Sequence, residues 1–203
     1  MSFIASLEKT PYILDVGCGN QMVIAVKYIC HNCHYTGIDV ADYNQSNQAL
    51  SLIDKYILVK PDEFSSEISR LSYKYDAVIS SHNLEHCYDR YGTLVAMLGV
   101  VKKGGNIYIS FPSEKSISFP SRDGTLNYYD DSTHLDVPPL FDDVISLIKS
   151  QNFIINYSVR NYQPMVLRLL GFIIEPLSRV QKKVYPGTWE YYGFESIIHA
   201  TKI

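Results

Sequence analysis

Short apolar runs separated by longer stretches of helical spacing alternate along nearly the whole chain. The runs near 12–16, 35–39, 56–59, 75–80, 106–111, 153–159 and 195–202 predict strands, and the segments near 21–30, 45–53, 64–71, 88–101 and 140–150 predict helices. Alternation of this kind predicts an α/β fold, a largely parallel sheet with helices on both faces. Continuously apolar strands such as Ala77-Val78-Ile79 and Ile107-Tyr108-Ile109 belong at its centre, covered on both sides. Two stretches break the alternation. Residues 112–139 form a long polar connection, of the size that in a compact domain is usually functional. Residues 160–193 contain an apolar run, Met165-Val166-Leu167 through Ile173-Ile174, interrupted by Arg168 and Gly171. Too short and broken to span a bilayer, this run predicts a lid helix packed on the domain, with a dimer contact or a membrane-surface helix as alternatives.

The first predicted strand runs Tyr12-Ile13-Leu14-Asp15-Val16 into Gly17-Cys18-Gly19-Asn20, and the second ends in Asp39-Val40. Glycines at 17 and 19 let a ligand approach the main chain, and in an open α/β sheet ligands sit beyond the carboxyl ends of the strands. Gly17, Gly19 and Asp39 should therefore converge, with the Asp39 carboxylate placed to accept hydrogen bonds from ribose hydroxyls. Pyrophosphate binders carry a third glycine in G-x-G-x-x-G, and here position 22 is Met. Asp15 would repel a diphosphate and could accept a hydrogen bond from an ammonium group. S-adenosylmethionine carries an ammonium and no phosphate.

These residues resemble the class I S-adenosylmethionine-dependent methyltransferases. The matching pieces are Leu14 to Gly19, Gly37-Ile38-Asp39, Tyr75-Asp76-Ala77-Val78-Ile79, Leu84-Glu85-His86 and Val101-Lys102-Lys103-Gly104-Gly105, in the family's order over about residues 11–155. The resemblance implies a Rossmann-like seven-stranded, mostly parallel sheet whose last strand is antiparallel beside strand six. It implies S-adenosylmethionine as cofactor, bound by Asp15, Gly17, Cys18, Gly19, Asp39, Val40, Asp62 and Ser81. Gln21 stands where many relatives have a further glycine. Asp62 is placed like the acid that contacts the adenine amino group, and an N-cap role for the next helix is the alternative. Tyr128-Tyr129-Asp130-Asp131-Ser132-Thr133-His134 resembles the family's "D-x-T-H" run.

The sulfonium methyl is already activated, so catalysis consists of alignment and, for a hydroxyl acceptor, removal of a proton. An imidazole suits that base at neutral pH. His134 is the first candidate, with His82 and Asp131 behind it and a loop-bracing role for His134 as the competing reading. His82 follows strand four and could line the methyl pocket, His86 with Glu85 reads as a supporting brace, and Asn83 as a polar contact near the reacting group or a helix cap.

At 203 residues and 46% hydrophobic, the chain suits one methyltransferase domain, with 112–139 and 160–193 as substrate-covering insertions. A net charge of −3 argues against a nucleic-acid partner. Met1 to Thr10 shows no signal peptide, which leads us to expect a cytoplasmic protein. Cys30-His31-Asn32-Cys33-His34 spells a haem-attachment pattern, but with no export signal and no second cysteine pair neither haem nor a metal is expected. Tyr128, Tyr129, Trp189, Tyr191 and Tyr192 with Arg122, Asp123, Asp130 and Asp131 would suit a small-molecule acceptor such as a nucleotide sugar or glycan precursor, as in bacterial surface-polysaccharide biosynthesis. Another small metabolite, a phosphorylated headgroup, or a non-catalytic cofactor-binding module are the alternatives.

Overall fold

The computed structural model describes residues 2–7, 10–19, 21–43 and 45–203, so Asn20, at the end of the glycine motif, lies outside the described residues. One sheet contains seven strands: β1 (Tyr12–Val16), β2 (His34–Asp39), β3 (Lys55–Leu58), β4 (Tyr75–Ser81), β5 (Val101–Pro112), β6 (Phe153–Val159) and β7 (Glu195–Lys202). Their order is β3-β2-β1-β4-β5-β7-β6. The first five in that order are parallel, and β7 runs antiparallel between β5 and β6. This is the Rossmann-like arrangement expected from the sequence. The helices are α1 (Met22–Ile29), α2 (Asn47–Leu52), α3 (Phe64–Ser69), α4 (Arg90–Val100), α5 (Phe141–Ser150), α6 (Met165–Gln181) and α7 (Thr188–Tyr192).

Successive strand residues point to opposite faces, and the strand interiors are apolar at both parities, so each face builds its own core. Ile13, Ala77 and Ile79 pack with Val23 and Val26 of α1 and with Ala49 of α2. Leu14, Val78, Ile107 and Ile109 pack on the other side with Ile68 of α3, Met97 of α4 and Ile148 of α5. Side-chain caps fix two helix starts: Ser46 Oγ accepts from the Ala49 amide at 3.1 Å, and Asp89 Oδ1 from the Gly92 amide at 2.9 Å.

One strand differs from the sequence expectation. β5 begins at Val101, not near 106, because Val101 already pairs with Tyr75 while the next partners are Ala77 and Asn106. The residues between bulge out of a ladder that continues past them, with Gly104 at φ 79°. Lys102-Lys103-Gly104-Gly105 is therefore a kink within a strand.

The N-terminal 3₁₀ turn (Ser2–Ser6) stacks Phe3 on His199 and Tyr108 and buries Ile4 with α1, so it covers a face of the sheet rather than the strand ends. The strand order reverses at β1, which has β2 on one side and β4 on the other. The crevice beyond their carboxyl ends is where such a sheet binds ligands.

Candidate functional site

The glycine turn after β1 takes its shape from backbone needs. Gly17, at φ 72°, donates its amide to the Ile38 carbonyl at 2.9 Å, and a Cβ there would lie 2.4 Å from the Asn83 side chain. Gly19, at φ 48°, donates to Asp39 Oδ2 at 2.7 Å, while Asp39 Oδ1 accepts the Val40 amide at 2.7 Å. Burial raises the Asp39 pKa and the amide bonds from Gly19 and Val40 oppose this, leaving it above the ordinary carboxylate value. Gln21, where relatives carry glycine, adopts the same left-handed backbone, φ 71°.

Gly17, Gly19, Asp39 and Val40 line a cavity of about 700 Å³, a size suited to a nucleoside cofactor. Its far wall is built by His82, Asn83 and His86 after β4 and by Asp131, Ser132 and Thr133 of the long connection. Two segments about 50 residues apart thus close one space.

Five of the expected site residues do not line it. Asp15 is 1% exposed and accepts a hydrogen bond from the Tyr35 hydroxyl, so it faces the protein interior and not a ligand ammonium. Burial pushes its carboxyl up to about 7, against the lowering effect of Tyr35 and with the Asp39 charge adding. The Cys18 thiol packs against Gly37, and burial together with the Asp15 and Asp39 charges pushes it far above its usual range. Asp62 is exposed in the turn Pro61–Glu63, and α3 begins without a side-chain cap. Ser81 Oγ lies 2.9 Å from Ser110 Oγ. The His134 ring, 4% exposed, stacks on Tyr128 and places Nδ1 2.5 Å from the Tyr128 carbonyl.

His86 stands in front of His134, with ring centroids 4.8 Å apart, and does reach the cavity. Its Nδ1 lies 3.0 Å from Thr133 Oγ1 and 3.3 Å from the Thr133 carbonyl, and Thr133 Oγ1 donates to Asp131 Oδ1 at 2.6 Å. With the hydroxyl hydrogen directed at Asp131, the network assigns the proton of neutral His86 to Nδ1 and leaves Nε2 with a free lone pair. Burial pushes the Asp131 carboxyl up, but bonds from the Thr133 hydroxyl and amide and the neighbouring imidazoles bring it below its ordinary value. Asp131 is an anion that orients His86 through Thr133. The sequence offers His86 as a candidate base but favours a bracing role for it, because no pattern says which of two imidazoles 48 positions apart faces the ligand. Glu85, His86 and His134 also bring one ligand atom each within 4.8 Å of the others, a donor set able to hold a divalent ion.

His82 lines the cavity at φ 49° but is clamped between carboxylates, Nδ1 3.1 Å from Glu85 Oε1 and Nε2 3.3 Å from Glu195 Oε1. Burial alone would lower its pKa; Glu195 and Glu85 outweigh this and hold it up at about 10. A protonated imidazole has no lone pair to act as base, so this geometry speaks against the basic role considered for it.

The aromatic and polar residues proposed as sugar readers are mostly engaged internally. Arg122 forms a bidentate pair with Glu175, both bonds 2.7 Å, and Tyr192 donates to Glu175 at 2.7 Å. Asp130 accepts the amides of Arg122, Leu126 and Asn127. Trp189 donates Nε1–H to the Thr125 carbonyl and stacks on Phe194.

The glycine turn, the acid at the end of β2 and the strand order together match a known family. Residues 1–150 fit the model of a methyltransferase domain, and the chain belongs to this family of S-adenosylmethionine-dependent methyltransferases. A ubiquinone biosynthesis O-methyltransferase of Aeromonas salmonicida is 28% identical over 100 residues, 48% of this chain and 42% of that protein, so the match spans less than half of the relative. A methyltransferase from Archaeoglobus fulgidus superposes with TM-score 0.54 at 18% identity, covering 98% of this chain and 90% of that one. An N-methyltransferase from Bradyrhizobium japonicum, solved with S-adenosylhomocysteine, gives TM-score 0.53 at 12% identity over 94% of this chain and 77% of that one. At these identities the solved structures speak to the fold.

Proposed function

We propose that the protein transfers the methyl group of S-adenosylmethionine to a hydroxyl oxygen of a small acceptor, with His86 as general base. The acceptor oxygen attacks the methyl carbon, the carbon–sulfur bond breaks to leave neutral S-adenosylhomocysteine, and the hydroxyl proton passes to His86 Nε2. The observation that carries this reading is the chain Asp131–Thr133–His86, which holds Nδ1 of a cavity-lining imidazole and leaves its Nε2 as the nitrogen with a lone pair. Gly17 and Gly19 give the cofactor access to backbone, Asp39 accepts its ribose hydroxyls, and Val40 packs on the adenine. Alignment supplies about 7–11 kcal/mol of the barrier, and the base about 10²–10⁴ in rate.

The acceptor class favoured by sequence, a nucleotide sugar or glycan precursor, loses support because Arg122, Asp130, Trp189 and Tyr192 are engaged elsewhere. Tyr43, Phe64 and Tyr88 on the cavity wall favour a small acceptor with a flat apolar face, and the similar protein of Aeromonas salmonicida is by name an O-methyltransferase. Free thiols at Cys18, Cys30, Cys33 and Cys87 fit a reducing, cytoplasmic setting. Among the described residues no helix is long and apolar enough to cross a membrane.

The test is release of S-adenosylhomocysteine across a panel of phenols, small alcohols and nucleotide sugars. With an accepted substrate, His86→Gln should lower kcat by about 10²–10⁴ and remove the acid limb of the pH profile, with cofactor affinity unchanged. Activity abolished by a chelator and restored by zinc would assign Glu85, His86 and His134 to a metal instead. Tight cofactor binding without turnover on any acceptor would favour a non-catalytic module.

A further inference from the structure

The helix α6 is mounted with its polar side inward. Glu175 and Ser178 are buried against Arg122, and Gly171 presses on the Gly187 carbonyl, where a Cβ would lie 2.0 Å away. The bidentate Arg122–Glu175 pair fixes the helix rotation, because rolling the helix would strand a buried charge. On the opposite side Met165, Val166, Leu169, Phe172, Ile173 and Val180 are each more than half exposed. An apolar arc of this width normally faces a core; here it faces out over a helix about 25 Å long at 1.5 Å per residue.

The exposed charges on α6 and at its C-terminal end are all basic, with Asp123 bridged beside Lys183 as the acid nearby. Arg168 and Arg179, three turns apart, run along one edge, and Lys182 and Lys183 follow at its end, all exposed. Residues 160–190 carry five basic and two acidic residues, and one of those acids, Glu175, is buried on Arg122. The whole chain carries 18 basic and 21 acidic residues. This face is therefore positive on a protein that is otherwise acidic. A second copy docked through α6 would bring two basic edges together, whereas an anionic lipid surface complements both the apolar arc and its charge.

We propose that α6 is an interfacial helix that docks the protein on anionic bilayers, with its apolar arc in the acyl boundary and Arg168, Arg179, Lys182 and Lys183 at the phosphates. The helix rests on α7, whose Trp189 packs at a tilt against His82 at the cavity wall, ring centroids 5.2 Å apart. The docked surface thus lies one helix away from the acceptor side of the site.

Flotation of the full-length protein with phosphatidylcholine vesicles, with and without 30 mol% phosphatidylglycerol, tests this. The protein should float with the anionic vesicles and much less with neutral ones, and high salt should release it. Phe172→Ser with Ile173→Ser should abolish flotation. Lys182→Gln with Lys183→Gln should lower partitioning by about 5-fold per residue. Neither double variant should change the thermal shift given by S-adenosylhomocysteine, which verifies that both fold. Equal flotation of wild type and the Phe172/Ile173 variant would overturn the proposal. So would absence of flotation, and a wild-type dimer that this variant converts to monomer would then assign the face to a second copy.

Discussion

The cofactor end and the acceptor end of this molecule are built on different principles. At the cofactor end, between β1 and β2, each requirement is local: left-handed backbone at Gly17 and Gly19, and an acid at the end of β2 that accepts two amides. At the proposed acceptor end and in the insertions beside it, polar residues that look free in sequence are tied across long separations, His86 to Thr133 over 47 residues and Arg122 to Glu175 over 53. Backbone demands are written in adjacent residues, whereas side-chain pairings depend on which elements meet.

If that contrast holds, the largest effect on stability should come from those insertions. The Arg122 and Glu175 side chains are 3% and 8% exposed, so removing one partner leaves an unpaired buried charge. Arg122→Met should destabilise by about 3–5 kcal/mol in urea denaturation. Adding Glu175→Leu should recover most of the loss, since an apolar pair of similar volume often replaces a buried ion pair without penalty. A double variant as unstable as the single one would mean that Ser178 and Tyr192 depend on both charges.

The cofactor end should respond in affinity more than in stability. On the proposed reading, Asp39→Ala removes an acceptor for two ribose hydroxyls, each such bond contributing about 1.5–3 kcal/mol. Calorimetry should show S-adenosylhomocysteine binding weakened by about 10² or more. Part of this is indirect, because the same carboxylate holds the Gly19 and Val40 amides. Asp39→Asn keeps the shape and one carbonyl oxygen, so it should fall between the two. Unchanged affinity in Asp39→Ala would remove this residue from the site.

The central strands are legible because both faces of the sheet are covered there, which gives β1, β4 and β5 apolar runs, whereas the edge strand β6 is largely exposed. β5 was misplaced at its start because two lysines and two glycines read as a turn, and only pairing with Tyr75 reveals that the ladder begins earlier. Within the site, Gly17, Gly19, Asp39, Val40, Asp131 and His82 reach the cavity as expected. Asp15 does not, because its position in β1 points it at the Tyr35 hydroxyl, and Cys18 does not, because its thiol packs against Gly37. His134 was chosen over His86 since its neighbours Asp131 and Thr133 stand beside it in sequence. Those same neighbours instead hold His86. The amphipathicity of 165–181 was visible, but not which side faces out, since that depends on Arg122.

The last effect concerns His82, on the cavity wall, and it is read in pH. An unfolded histidine titrates near about 6.5, and here Glu195 and Glu85 overcome the lowering effect of burial to hold the native value at about 10. Between those values the native state keeps a proton that the unfolded chain has lost. The stabilisation is therefore complete below about pH 6.5 and is lost as pH rises through the native pKa. Asp15 also binds a proton more strongly when folded, but its contribution is lost between its ordinary value and about 7, so that loss ends about where the loss of the His82 contribution begins. His82→Asn, a residue that tolerates φ 49°, should flatten the fall in Tm between pH 7 and 10. The wild-type minus variant difference should shrink steadily across that range. Parallel curves would mean that His82 is neutral in the native state, which would give it a free nitrogen and restore it beside His86 as a base.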